Sequence, residues 1–491
     1  MQMGIDRSHE HNRAMSRYTP EHSFAPDRKT AMTGSRRQIV GSRGMLETQT
    51  APNPGGKWAF VFLWLFTMAD FGRPEDIFRI PFHFQLIFGT AAALAYLAAL
   101  ISGRVRLLWS RELILVLLLT VWFTLGVPFA YWRTESFEML LHVWFKTVLG
   151  FFLLSQTLTT VDRVRKLLWA IILSELIVTC VSIALSGRAE LRVGDRVAGV
   201  SAGLLAWNYF GIAVAQICPY LGALYVCRRS PVRTGLLLST FAALMWMLVL
   251  TASRGGFLNV VVSIILSYWF VMRGSARGRI AYLVVLLCLF LSVAGAPDVF
   301  FARVQTIWNG SERGLSKVAS AAEQSTQGRI FLLGRAIKYT LEYPIFGVGL
   351  GNFININGTE LGRPDAWYAT HNTFMQISSE AGIPALVFFL FLLATVIWRM
   401  KKVSERLPSD PANDELRLLA RATLVSTVSV AFGWFFANLA YDLYSYYSAA
   451  IAVGLWAVAR QCATAPELQP ESPRLLRPIA RLHGLRHKAS F

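Results

Sequence analysis

The sequence predicts an all-α, polytopic integral membrane protein with about twelve transmembrane helices. One large external loop separates spans nine and ten. Three observations predict this. Over 491 residues, 54% are hydrophobic and 13% aromatic, and the mean hydropathy is +0.44. Apolar stretches long enough to cross a bilayer, about 17–25 residues, recur along the chain. They are interrupted once, by about 75 mostly polar residues at 297–371. Finally, Lys and Arg concentrate in alternate connections between the stretches.

Taken in order, the spans are expected at 57–71, 81–102, 111–132, 140–160, 166–186, 203–227, 233–252, 255–272, 279–296, 380–399, 416–437 and 440–459. The chain thus divides into a basic N-terminal segment (1–56), spans one to nine (57–296), the loop (297–379), spans ten to twelve (380–460) and a basic tail (461–491). One set of connections is almost purely cationic. It holds Arg104, Arg106 and Arg111, then Arg163, Arg165 and Lys166, then Arg228, Arg229 and Arg233. It continues with Arg273, Arg277 and Arg279, then Arg399, Lys401, Lys402 and Arg406. The other set mixes signs, as in Arg73 with Glu75 and Asp76, or Arg133 with Glu135 and Glu138. Short loops rich in Lys and Arg stay in the cytoplasm. Both termini are therefore expected inside and the long loop outside.

The net charge of +19 follows this topological pattern, so no nucleic-acid partner is expected. The first 56 residues lack apolar periodicity and a secretory signal's apolar centre, and read as disordered. The basic C-terminal tail suits anionic headgroups. The five cysteines lie in spans or on the cytoplasmic side. They show no metal-type spacing, and no disulfide framework, metal site or cofactor is expected.

Within the loop, residues 310–328 are rich in Ser, Ala, Gly and Gln and read as flexible or weakly helical. Residues 329–342 (RIFLLGRAIKYTLE) have helical spacing, with an end imposed by Pro344. This helix is expected on the membrane surface with Ile330, Leu333 and Ile337 inward. Gly347-Val348-Gly349-Leu350-Gly351-Asn352 demands tight, backbone-exposed turns. No Walker-type phosphate cradle occurs.

Several polar residues are candidates for chemistry, each with a plainer alternative. Arg254, in Ser253-Arg254-Gly255-Gly256, stands at the external head of span eight. It either snorkels to headgroups or binds a phosphate with its planar, permanently charged fork. The two glycines allow a ligand or another helix to come close. Arg329 is either a solvated helix face or an anion ligand. Arg335, six residues on, is about 120° away around the helix. His371 suits proton transfer from a hydroxyl near neutral pH, or is a polar interface residue. Asn372 adjoins it. Arg196 and Asn208 flank the external end of span six, where an amide often bonds between helices. His142, Lys146, Glu175 and Asp442 fall within spans, where charges usually face the interior or a wet cavity.

The ordered set of SRGG, a GR followed by a helix ending in YPIFGVGLGNF, and THNTFMQISSEAGIPAL resembles the O-antigen ligase and O-antigen polymerase superfamily. The resemblance covers about residues 190–400. It implies a metal-independent, inverting glycosyltransferase of the bacterial inner membrane, working at the periplasmic face. Its donor would be a glycan on undecaprenyl diphosphate. Its acceptor would be a sugar hydroxyl of lipid A-core or, for a polymerase, another lipid-linked repeat. It assigns Arg254 and Arg329 to the diphosphate and His371 to the acceptor side, with Arg335, Arg196, Asn208 and Asn372 as further substrate contacts. A transporter of lipid-linked sugars is the alternative of another class; it would more often show repeated halves and broken helices.

Overall fold

A computed structural model describes residues 56–462, apart from 189–190, 194–195, 198–206, 228–229, 306–316, 363–367 and 409. The basic segments expected to be disordered or headgroup-bound, 1–55 and 463–491, lie outside the described residues.

Twelve helices overlap the stretches expected to span. Before the loop they are α1 (Lys57–Gly72), α2 (Phe84–Ile101), α3 (Arg111–Gly126), α4 (Arg133–Thr157), α5 (Val161–Ala184), α6 (Trp207–Cys227), α7 (Pro231–Thr251), α8 (Arg254–Met272) and α9 (Ala276–Ala294). The loop contributes α10 (Asp298–Gln305), α11 (Lys317–Glu342) and α12 (Phe353–Leu361). The last three spans are α13 (Thr373–Arg406), α14 (Asp414–Gly433) and α15 (Tyr447–Cys462). Among the described residues, ten helices are long and apolar enough to cross a membrane. The other two, α1 and α15, have 16 residues each.

Local chemistry sets the helix starts. Side chains of Ser110, Thr160, Ser253, Ser275 and Asn372 accept a hydrogen bond from an otherwise orphaned first-turn amide. Pro231 opens α7, where its missing N–H costs nothing. Buried share sorts the bundle: α6 is buried along most of its length, whereas α2 and α9 are largely uncovered. The centre forms where Gly211 of α6 meets Gly256 of α8. A Cβ on Gly211 would come within 2.2 Å of the Gly256 backbone. The SRGG glycines therefore serve helix approach, and Gly255 packs on Phe436.

The structure refines some expectations and corrects others. Helix α11 begins at Lys317, so the helical one of the two readings holds for 317–328. Its protein-facing side is Leu332, Ala336 and Tyr339, packed on Val348, Phe353 and Ile356. Ile330, Leu333 and Ile337 form a second, exposed apolar stripe, the one expected to face the membrane. Span ten starts at Thr373, seven residues early, and span twelve starts late, leaving Asp442 in the connection before α15.

Helix α13 is broken at Gly382 (φ 83°), two residues before Pro384. The break matters because the loop docks there. Val348 and Gly349 amides donate to the carbonyls of Ser379 (2.8 Å) and Glu380 (2.9 Å), and Ile383 donates to Pro344 (2.8 Å). Gly347, Gly349 and Gly351 all have positive φ. A Cβ on Gly347 would lie 2.3 Å from the Glu380 backbone, so the turn needs glycine twice over, for conformation and for space. The five cysteines are free.

Candidate active site

The candidate residues are built onto five separate elements. A short hairpin, β1 (Arg192–Val193) with β2 (Arg196–Val197), carries Arg196. Its Nε donates to the carbonyl of Thr251 at the end of α7 (2.9 Å), which ties the hairpin to the α7–α8 corner. That corner is tight: Ala252 takes a left-handed conformation (φ 47°), and Ser253 Oγ accepts from the Gly256 amide (3.1 Å). Arg254 is consequently the first residue of α8. Its Nη2 donates to Thr326 Oγ1 on α11 (2.9 Å).

Helix α10 is fixed to the same corner by Phe300, which is buried with Val249 and Ala252 and stacks edge-on against Phe257 (5.4 Å). Arg303, one turn later, is a residue the sequence reading did not single out. Isolated in a polar stretch, it gave no motif to find it by. Arg329 lies on α11.

These four arginines feel each other's charge. Burial, then Arg303, Arg329 and Arg254, push the Arg196 guanidinium down to about 9. Burial, then Arg254 and Arg329, lowers Arg303. Burial, then Arg254, lowers Arg329. Like charges gathered in a partly desolvated place favour any multivalent anion that can enter among them.

His371 joins this cluster. Burial, and next the positive charge of Arg329, hold its imidazole below the ordinary value of 6.5. It is therefore neutral at pH 7 and able to accept a proton. Its backbone is left-handed (φ 51°), a conformation uncommon outside glycine and costly enough to be retained at functional positions. The perch is firm. Asn372 caps α13 by accepting from Met375 (3.1 Å), and Thr373 donates from its amide to Trp434 and from its hydroxyl to Ala437, both at 2.8 Å.

Other candidates sit elsewhere. Arg335 bonds Glu360 and Tyr339, donates to Asn357 Oδ1 (2.8 Å) and covers the Tyr339 ring. Lys338 joins the same carboxylate (2.9 Å). Although burial opposes it, these bonds hold the Glu360 carboxyl below its usual range. Arg335 thus clamps α11 to α12, on a different face from Arg329. Asn372 is occupied with capping, and the Asn208 side chain lies outside the described residues.

Glu380 is a second residue missed in the sequence. Buried inside α13, it accepts from the amides of Gly351 (3.1 Å) and Phe353 (3.4 Å) and from Tyr441 Oη (2.8 Å). It anchors the glycine turn to the bundle. The signal was present as an acid inside an apolar span, a placement that demands partners. Among the described residues, no three His, Cys, Asp or Glu side chains gather as a metal site.

Residues 238–390 match the sequence model of a family described as O-antigen ligase. The matched stretch contains Arg254, Arg303, Arg329, His371 and Glu380; Arg196 lies before it. No curated protein matches the chain. Over residues 238–390 the chain is similar to the O-antigen ligase family, and its described residues include ten helices long and apolar enough to cross a membrane.

Proposed function

We infer, from the family likeness over residues 238–390 and the arginine cluster, that the chain is a bacterial membrane glycosyltransferase acting on a lipid-diphosphate-linked glycan. The observation that carries the reading is the grouping of Arg196, Arg254, Arg303 and Arg329, with His371 beside Arg329. The donor is a glycan on undecaprenyl diphosphate. The acceptor is a sugar hydroxyl, on lipid A-core for a ligase or on another lipid-linked repeat for a polymerase; the transfer chemistry is the same.

In the reaction, the acceptor oxygen forms a bond to the anomeric carbon. The bond from that carbon to the diphosphate oxygen breaks, and its electron pair leaves with the diphosphate. Charge on the leaving group grows as the bond breaks, so fixed guanidinium groups stabilise the transition state more than the ground state. They supply the positive charge that a metal would otherwise bring, which supports a metal-independent reaction. His371, neutral at pH 7, takes the acceptor's proton. Attack opposite the leaving group inverts the anomeric centre. The alternation of cationic connections supports an orientation with both termini in the cytoplasm and this cluster at the periplasmic face of the inner membrane.

The test is transfer by purified protein in detergent, without a second compartment, from a lipid-diphosphate glycan to a sugar acceptor. Product that survives chelation supports the reading. A transporter or a scaffold gives none, and activity lost to chelation and restored by magnesium or manganese contradicts the arginine mechanism.

A further inference from the structure

A second charged space lies among the spans, away from the arginine cluster. It is a cavity of about 560 Å³ between α1, α2 and α4. Its wall includes the cations Arg73 and Lys146, the imidazoles of His83 and His142, and three carboxylates, Asp70, Glu75 and Asp442. Leu86 and Leu149 border it and are themselves exposed on helices apolar enough to cross the membrane.

The space has the marks of a built site. Arg73, between α1 and a one-turn helix at Pro74–Phe78, holds a left-handed backbone (φ 43°) despite its Cβ. Its Nε is buried and makes no hydrogen bond, its nearest carboxylate being Asp76 at 3.8 Å. Oε2 of Glu75, also in the wall, is a second buried atom without a hydrogen bond. Helix α4 widens into a π turn at Leu140–Trp144, and this turn carries His142; such turns recur at functional sites. Lys146 follows one turn later. Both are exposed, so the His142 imidazole and the Lys146 ammonium open toward the cavity and the bilayer, where a cation such as Lys146 needs a counter-charge.

We propose that this cavity seats the headgroup of a membrane phospholipid bearing both a phosphate and an ammonium group. The phosphate lies against Arg73, His142 and Lys146. The ammonium lies against Asp70 and Asp442, and the acyl chains follow Leu86 and Leu149. A purely anionic headgroup would bring phosphate into a wall with three carboxylates and no ammonium of its own to offset them. A soluble ligand would leave the apolar rim unused.

The test measures lipid binding to the delipidated full-length protein by native mass spectrometry. It compares phosphatidylethanolamine, phosphatidylglycerol and soluble phosphoethanolamine. Wild-type protein should retain phosphatidylethanolamine about tenfold better than phosphatidylglycerol, the effect of one charge-assisted contact. Lys146→Gln should weaken both lipids about tenfold. Asp442→Asn should weaken phosphatidylethanolamine alone and erase the preference. Both positions are exposed, and unchanged melting temperatures would show that the variants fold. Equal retention of the two lipids by the wild type, or no change in either variant, overturns the proposal. Phosphoethanolamine binding as tightly as the lipid overturns its assignment to the membrane.

Discussion

The two ends of the helix bundle use arginine in opposite ways. At one end, Arg399 of α13 pairs with Glu112 of α3, and both are buried. Nearby in the same layer of connections, Arg165 grips Glu415 through two bonds (2.6 and 2.9 Å), and Arg417 pairs with Asp414 (2.8 Å). At the other end, roughly 40 Å away along α13, the charges acting on Arg196 are those of three more arginines. A paired arginine has its charge answered within the protein, and in Arg399–Glu112 and Arg165–Glu415 the pair also joins two helices. A group of arginines pressed together raises the energy of the folded chain and lowers it again when an anion arrives. The first arrangement is structural, and the second is suited to ligand binding.

This contrast sets the order of expected effects. Replacing Arg254 or Arg329 by alanine should reduce transfer by about 10²–10³, the scale for removing one donor that stabilises developing negative charge. Melting temperature should hold or rise, because like-charge repulsion falls. Arg303→Ala should fall in the same class; full activity in that variant would restrict the functional cluster to the arginines found by motif. Lysine at 254 or 329 should restore part of the loss, since it keeps the charge without the bidentate fork.

His371→Ala should lower transfer by about 10² or more, within the range for a proton-transfer group. His371→Gln separates two roles: an amide orients a hydroxyl but accepts its proton poorly. Retention of most activity by the glutamine variant would make His371 a positioning residue. Because burial and Arg329 lower this imidazole, transfer should stay level through neutral pH and decline on acidification with a midpoint below 6.5. The linked stability runs in the same direction. The unfolded chain binds the proton first, so stability is greatest above 6.5 and falls as pH drops through the window between the ordinary and the lowered value.

Glu112→Ala should act on stability alone. Leaving Arg399 buried without its partner costs about 3–5 kcal/mol, measurable as a lower melting temperature, while transfer per folded molecule stays unchanged. Glu360→Ala, which breaks the half-exposed clamp between α11 and α12, should cost less than about 1 kcal/mol. A large loss of transfer there would mean that the clamp aligns Arg329.

What was legible in the sequence follows the reach of each signal. Apolar length gave the ten helices long and apolar enough to cross a bilayer, because crossing demands it locally. Arg254 and His371 were visible since each adjoins a turn or a span end with its own pattern. Arg303 was invisible: it joins the cluster only because Phe300 packs under the α7–α8 corner, a contact between positions far apart in sequence. Glu380 was readable as a buried acid, yet its partners at Gly351 and Phe353 appear only once α13 breaks at Gly382. The protein-facing side of α11 was not read, because Ile330, Leu333 and Ile337 form one apolar stripe and Leu332, Ala336 and Tyr339 another. Periodicity cannot rank two stripes on one helix; the packed turn at Val348 and Phe353 does.

The most direct test of the central claim is equilibrium binding of undecaprenyl diphosphate to purified protein and to two variants, Arg254→Gln and Arg399→Gln. Neutralising Arg254 should weaken binding at least about tenfold and make it less sensitive to salt. Neutralising Arg399 should leave affinity unchanged in the molecules that remain folded. Equal affinity for all three proteins would contradict the assignment of the arginine cluster to the diphosphate.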